Sequence, residues 1–442
     1  MNNNKVVPIE NNEIGRKKGG SKTSPETIAW RLAGANEHLR SDGSLLYKWA
    51  GTHWQVQDHI AAESAMMHWL TDHHPKKASP RLAASCVQAA VMGARRLEAR
   101  KNKDGLVLPL ANGYLHIDVR GGTVILKEPD PDEGLTYTLG VAFTPGAQSE
   151  KFNRFICEVL EDEATREYAQ EYVGYTLLPD CRFQKAMLWT GSGANGKSTL
   201  AEIVSKLHKQ VSSLALDRLE GFRLTPLIGA SLVLVDETPA RICEQEFKKI
   251  VSGGLIEINR KFRDPVSFHP TAKWLVLGNQ APAVSDQTHG FWRRLAVVRF
   301  ERQFSEVEQD PYLAQKIITT EMPGVLNWSL AGLLSLLQRG HFPAPSDAMR
   351  AAAQQGMVES NSVLAWWMDG HAEINRATET PRAKIYAAYK QWASDNGMSP
   401  VSSERFWPRL DLASGQKIAA VMRKKNGVAE RFVPIRLLRT EP

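Results

Sequence analysis

The sequence predicts an α/β protein built around a core of buried parallel strands. A mixed α+β region precedes the core, and a small region of helices and a hairpin follows it. Three observations carry this reading. Residues 185–208, KAMLWTGSGANGKSTLAEIVSKLH, run from an apolar stretch through a glycine-rich turn into an amphipathic stretch. A second apolar run, ASLVLVDE at 230–237, ends in two carboxylates, and a third, KWLVLG at 273–278, ends at Asn279. Short, nearly continuous apolar runs are what strands of a parallel sheet buried on both faces require, and their C-terminal tips face the ligand crevice.

The first element sets the chemistry. Gly191, four intervening residues, Gly196, Lys197 and Ser198 fit the pattern G-x-x-x-x-G-K-[ST], with strand before and helix after. Gly191, Ser192, Gly193, Ala194, Asn195 and Gly196 would curl successive backbone N–H groups around a phosphate. Lys197 would bring a point charge to the outer phosphates, and the Ser198 hydroxyl would ligate Mg²⁺. Thr199 continues the helix start, whose N-terminus adds partial positive charge. The expected ligand is ATP with Mg²⁺.

The later elements come in order. Asp236, 39 residues after Lys197, would hold the hydrated metal, and Glu237 would orient and deprotonate the attacking water. Asn279 offers a neutral group able to hydrogen-bond both the lytic water and the γ-phosphate. In GFWRRLAVVRF at 290–300, Arg293 and Arg294 stand directly before another strand-like run. An arginine there can reach a neighbouring subunit's ATP, and such a finger is worth roughly 10³ to 10⁵ in rate.

Taken together, GSGANGKST, LVLVDE, WLVLGNQAP and GFWRRLAVVRF resemble the ordered motifs of superfamily 3 helicases, and more narrowly the helicase part of phage, plasmid and poxvirus primase-helicases. The resemblance continues through residues 321–340, and upstream through LPLANGYLHIDVRGG (108–122) and residues 143–178. It implies an AAA-like ATPase that assembles as a ring, usually a hexamer, and translocates 3′ to 5′ on one DNA strand. It also implies a DNA-touching hairpin between the second and third motifs. That interval reads FKKIVSGGLIEINRKFRDPVSFHPTAK, with Lys248, Lys249, Arg260, Lys261 and Arg263 around the run LIEINRKF. Lys249 matches the family position most closely, followed by Arg260 and Lys261. Gly253-Gly254 and Asp264-Pro265 read as turns at the ends of the run.

The expected domains are a disordered basic arm (1–26), a helicase-associated domain (27–178), the ATPase/helicase domain (179–345) and a winged-helix-like domain (346–442). About 28 residues precede the helicase-associated region, too few for a primase half, so priming is expected from a separate primase or polymerase. In the upstream region a serine cap and proline start a helix at Ser24-Pro25. PRLAASCVQAAVMGARRLEARKN reads as helical, and GYLHIDV and TVILKE read as strands. Trp49 and Trp54, in a possible hairpin, fit core packing better than base stacking.

Near the C-terminus, helices are expected around 363–368, 382–395 and 402–410, then two strands joined through Asn426-Gly427, a strong hairpin signal. Helix, helix, helix, hairpin is a winged-helix order. Residues 399–442 carry nine Lys plus Arg against four Asp plus Glu, which suits duplex or origin DNA, with Arg423, Lys424 and Lys425 on the wing.

Composition agrees: 55 Lys plus Arg against 48 Asp plus Glu give +7, a mildly basic chain suited to DNA. Cys86, Cys157, Cys181 and Cys243 form no C-x-x-C pair, so neither a disulfide framework nor a zinc site is expected, and a reducing cytoplasm is. No apolar run approaches the ~20 residues of a membrane span. The alternative to a motor is an ATP-switched, origin-binding initiator or regulator without processive unwinding.

Overall fold

The computed structural model describes residues 23–98, 105–239, 242–260, 263–282, 284, 289–359, 361–425 and 428–438. The expected N-terminal arm, Lys261 and the Asn426-Gly427 turn therefore lie outside the described residues, apart from the arm's last four. The chain divides into two compact units. One comprises the described residues up to Lys48 together with Gln57–Leu97, and the other comprises Trp49–Val56 and the described residues from Glu98 onward.

In the first unit, helix Pro25–Ala35 starts as its sequence dictates. Ser24 is the cap, its hydroxyl accepting from Thr27 N at 3.3 Å, and Pro25 occupies the first turn. Helix Pro80–Gly93 packs against this helix and against His59–His73, burying Ala29, Leu70, Ala83 and Cys86. The helical reading of the third helix ran too far. Ala94 is extended (ψ 147°), and Arg95–Arg96 forms a strand parallel to Leu39–Ser41. Gly93 lies so close to the first helix that a Cβ there would sit 2.3 Å from Trp30 O, so tertiary packing overrides the local helical preference.

The second unit centres on five parallel strands in the order Leu295–Arg299, Ala186–Thr190, Lys273–Gly278, Leu232–Val235, Val211–Ser212. Alternate residues feed two cores, as the period of two in a strand demands. Met187, Trp189, Leu275 and Val298 join one apolar cluster, with helices Glu150–Val159, Glu163–Thr176, Lys197–Ser205 and Met322–Arg339. Leu188, Val233, Trp274, Val276 and Val297 join the other, with Leu224, Phe247, Ile256 and Ile258. Covering both faces is what permits such uniformly apolar strands. Upstream, Leu106–Leu110, Gly113–Asp118 and Thr123–Lys127 form an antiparallel sheet that feeds Leu108, Leu110, Leu115 and Ile117 into the first cluster. Trp54 is fully buried, its indole donating to Pro131 O at 2.8 Å and its ring 5.3 Å from that of Trp49.

Strands Ile256–Arg260 and Arg263–Phe268 form an antiparallel ribbon. Asp264-Pro265 lies inside the second strand instead of turning the chain at its end. The register shifts between Ile258 and Arg260, opposite this dipeptide. A proline, lacking an N–H, is tolerated in a strand at such an irregularity.

Helix Asp347–Glu359 packs on strand Leu295–Arg299, and Ala352 joins the second cluster of the sheet. A separate apolar core starts at Val363. It gathers Trp366, Ile385, Tyr389, Phe406 and Leu410 from helices Ser362–Met368, Arg382–Asp395 and Ser403–Ala413, with Val433 and Ile435. Strand Val428–Val433 pairs antiparallel with Val421–Lys425 on one side and Thr380–Pro381 on the other. Ser402 takes the N-cap position of its helix without a side-chain capping bond. Among the described residues no helix is long and apolar enough to cross a membrane, and all four cysteines are free.

Candidate active site

The glycine-rich loop leaves strand Ala186–Thr190 and enters helix Lys197–Ser205. Gly191 (φ 155°), Gly193 (φ 108°), Ala194 (φ 49°) and Gly196 (φ 81°) all hold positive φ. Two of the glycines are required sterically. A Cβ on Gly191 would meet Phe300 O at 2.7 Å, and one on Gly196 would meet Val159 Cγ1 at 2.6 Å. Ala194 adopts a backbone that an L-residue visits at a cost of about 1–2 kcal/mol. Gly196 offers no capping side chain to the first-turn N–H groups of the helix, and such a terminus suits an anion.

The side chains complete this cradle. The Lys197 ammonium, buried, donates to Gly191 O and Asn195 Oδ1, each at 2.8 Å. Burial holds its pKa below the ordinary lysine value. The segment after the last strand clasps the loop from outside. Phe300 N donates to Thr190 O at 2.8 Å, Phe304 N to Ala194 O at 2.8 Å, and Gln303 Nε2 to Ser192 Oγ at 2.6 Å. Ser198 is exposed and Thr199 half-buried.

Asp236 and Glu237 follow strand Leu232–Val235 directly, both exposed. Thr238 Oγ1 donates to Leu277 O at 3.0 Å and fastens this segment to the adjoining strand. Contact is tight enough that a Cβ on Gly278 would lie 2.2 Å from the Thr238 hydroxyl. Asn279 leaves the tip of Lys273–Gly278, between the loop strand and the carboxylate strand. A cavity of about 450 Å³ brings Asn279 together with Gly191 and Ser192, and Gln280, Arg299 and Gln355 also line it. The two carboxylates stand outside its lining.

Arg293 and Arg294 occupy the opposite edge of the sheet, because they precede a strand parallel to the one that delivers the loop. The two arginines differ. Arg293 is exposed, and its backbone carbonyl is engaged by Lys185 Nζ at 2.5 Å. Arg294 is half-buried and donates to Ser252 Oγ at 2.8 Å, Gly290 O at 2.6 Å and Gln184 Oε1 at 3.4 Å. Burial, then the neighbouring Arg293 charge, lowers its pKa.

Lys249 lies on helix Glu244–Val251, exposed at the root of the ribbon, and Arg260 ends the ribbon's first strand. Arg423 is paired on the surface with Glu379, and Lys424 is exposed on the same strand, which Lys425 ends. Sequence reasoning missed Phe222 and Arg223. They sit on the 3₁₀ turn Gly221–Leu227, which packs against strand Ile256–Arg260. Phe222 is 64% exposed, with the Arg223 guanidinium 6.0 Å from its ring centre. The readable signal was an aromatic flanked by arginine in a stretch with no apolar period. Arg299, whose guanidinium donates to Gln355, and Gln303 were also missed, since only the fold brings them to the loop.

Comparison with known proteins gives matches of family, sequence and fold. Residues 31–161 match the family described as D5 N terminal like, and residues 189–294 match a family described as of unknown function, DUF5906. The second match runs from the loop strand to Arg294. The chain is 29% identical over 164 residues to "Putative helicase L207/L206" of Acanthamoeba polyphaga mimivirus, covering 34% of this chain and 17% of that protein. It is 25% identical over 178 residues to "Putative helicase 121R" of Invertebrate iridescent virus 3, covering 37% of this chain and 19% of the relative. The alignments thus span under a fifth of these relatives' length. Among solved structures, two apo structures of the NrS-1 C terminal region superpose with TM-scores of 0.51 and 0.52, at 12% identity, over 94% of this chain and 100% of theirs. That likeness is one of fold. The chain resembles viral proteins of the primase-helicase type.

Proposed function

We propose that the chain is an ATP-dependent DNA helicase of superfamily 3 type. It works as a ring, a hexamer, moving 3′ to 5′ on one strand during replication of a phage, plasmid or similar mobile element. One observation carries the reading: the loop, Asn279 and the carboxylates stand at one edge of the parallel sheet, and the exposed Arg293 at the other. A site divided this way is completed by a second copy in a head-to-tail ring.

The first-turn N–H groups after Gly196 and the ammonium of Lys197 suit a triphosphate. On binding, Lys197 would exchange Gly191 O and Asn195 Oδ1 for the outer phosphates. Ser198 and Asp236 would hold Mg²⁺, whose charge offsets that building on the phosphoryl oxygens. Glu237 takes the proton of the attacking water, and Asn279 orients that water and the γ-phosphate. Arg293 of the neighbouring copy neutralises transition-state charge. The ribbon, with Lys249, Arg260 and Lys261, grips phosphates of the translocated strand, and Phe222 stacks on a base. The C-terminal helices and strands form a winged helix. Ser403–Ala413 would enter a major groove, with Arg423, Lys424 and Lys425 on the wing. Priming falls to a separate enzyme.

The test is ATP hydrolysis with and without single-stranded DNA, in parallel with displacement of a labelled strand from a 3′-tailed duplex. DNA-stimulated turnover with ATP-dependent displacement is expected. The separate core of the C-terminal region favours a second reading, an origin-binding switch. Turnover indifferent to single strands, with tight duplex binding and no displacement, would establish that reading instead.

A further inference from the structure

Arg294 and Ser252 join two parts of the chain that the proposed function uses separately. Ser252 is the C-cap of helix Glu244–Val251, and the ribbon begins four residues later. Its hydroxyl accepts from Arg294 Nε at 2.8 Å and lies 3.5 Å from Gln184 Oε1, which also accepts from Arg294 Nη2 at 3.4 Å. Gln184 is one of two described non-glycine residues with positive φ, at 51°. Such a backbone is retained where surrounding contacts hold it. The other is Ala194 in the nucleotide loop. Ala186 N donates to Arg294 O at 2.7 Å and Lys185 Nζ to Arg293 O, so both arginine carbonyls are fixed to the start of the loop strand.

Beyond Ser252 the chain turns at Gly253. Gly253 holds φ 67° where a Cβ would press on Cys181 Cβ at 3.1 Å, and its carbonyl is bridged by His269 Nδ1, at 3.0 Å, from the ribbon's returning strand. The ribbon's root and the exposed arginine therefore rest on one small polar cluster at one edge of the sheet. The nucleotide loop of the same copy is at the other edge, about five strand residues or ~16 Å away.

We propose that Arg294 and Ser252 are positioning residues that link the ribbon to the Arg293 segment, so that a subunit's ribbon responds to the nucleotide of the neighbour that Arg293 touches. Its own nucleotide would lie at the far edge, ~16 Å along the loop strand. This rests on the helicase reading. A pull on Arg293 shifts the adjacent guanidinium, and that guanidinium holds the C-cap from which the ribbon springs. In the reverse direction, DNA held by the ribbon sets the finger and thereby the neighbour's turnover.

The experiment measures the ratio of turnover with saturating single-stranded DNA to turnover without it, in the full chain, for wild type, Ser252→Ala, Ser252→Thr and Arg294→Lys. Ser252→Ala should keep basal turnover and DNA affinity and lose about five-fold or more of the stimulation ratio, the low end of coupling between sites. Ser252→Thr, which keeps the hydroxyl, should restore it. Arg294→Lys keeps the charge without the fork that reaches three acceptors and should lose the stimulation ratio as well. If wild type is stimulated and Ser252→Ala and Arg294→Lys are stimulated equally, the link is overturned and the helicase stands. Loss of basal turnover in step with stimulation would make the cluster a scaffold and also overturn it. Wild-type turnover that ignores DNA would overturn the helicase reading and the link with it.

Discussion

Removing Arg293 is the sharpest test of the proposed shared active site. Its strand runs parallel to the loop strand for the paired residues Leu295 to Arg299, so ~16 Å of sheet separates the arginine from its own glycine-rich loop. An extended arginine reaches less than half of that, and Arg293→Ala cannot damage the site on its own chain directly. The expected loss in turnover is roughly 10³ to 10⁵, the worth of a finger supplied in trans. Mixing gives the decisive number. In a head-to-tail ring made at random from equal amounts of Arg293→Ala and Glu237→Gln subunits, about one interface in four joins an intact carboxylate to an intact arginine. Two preparations that are nearly inactive alone should therefore recover about a quarter of wild-type turnover per interface when dissociated, mixed and reassembled. Steady-state phosphate release across mixing ratios measures this, with a maximum expected at equal parts. Arg294→Ala, whose side chain is tied to Ser252, Gly290 and Gln184, should not complement in the same pattern. Two inactive parents whose mixtures stay inactive at every ratio would refute the shared site, as would an Arg293→Ala protein that turns over like wild type.

Two further expectations rest on single side chains. Phe222→Ala removes an exposed ring beside the ribbon, and a lost base–aromatic stack of about 1–3 kcal/mol should weaken single-stranded DNA binding about 5- to 150-fold. Equal affinity by fluorescence anisotropy would remove Phe222 from the DNA path. His208 is buried, with Nδ1 at 2.9 Å from Ser231 Oγ and Nε2 at 3.1 Å from Thr176 Oγ1. Thr176 Oγ1 also donates to Val173 O at 2.6 Å, and Ser231 Oγ to Gln210 O at 3.4 Å. Burial, then the Lys273 charge, pulls the pKa of His208 down to about 3. The unfolded chain therefore takes up a proton as pH falls below about 6.5 and the folded chain does not, so stability is full above that value and drains as pH falls toward 3. Between pH 7 and pH 5 the loss is about 2 kcal/mol. Urea midpoints should show it in wild type and not in His208→Gln; parallel pH profiles would contradict it.

Legibility in the sequence tracked how local the cause was. Strands Ala186–Thr190, Lys273–Gly278 and Leu295–Arg299 were readable because both faces of each are buried, which leaves continuous apolar runs. The loop was readable because Gly191 and Gly196 answer steric demands that no other residue meets. Ser24 and Pro25 marked a helix start through bonds within one turn. Tertiary causes were silent. The third helix stops at Gly93 because Trp30 crosses there, and Asp264-Pro265 is strand because the facing strand slips register. Nothing in the string GFWRRL distinguishes Arg293 from Arg294. The distinction comes from Ser252 and Gln184, each tens of residues or more away in sequence.

That distinction bears on how the chain would work as a motor. Ordered motifs along a sequence suggest one site, yet in a parallel sheet the residues that enter strands and the residues that leave them lie at opposite edges. The loop, Asp236, Glu237 and Asn279 all leave strands, whereas Arg293 enters one. The ribbon root falls on the arginine's edge, since Ser252 and Gly253 reach back to Arg294 and Cys181. On the proposed reading, one copy offers a nucleotide-binding edge and a nucleotide-reading edge, and the ribbon proposed to grip DNA grows from the second. Sequential hydrolysis around a ring needs this polarity, because each subunit's grip on DNA must depend on a neighbour's state for the steps to succeed one another.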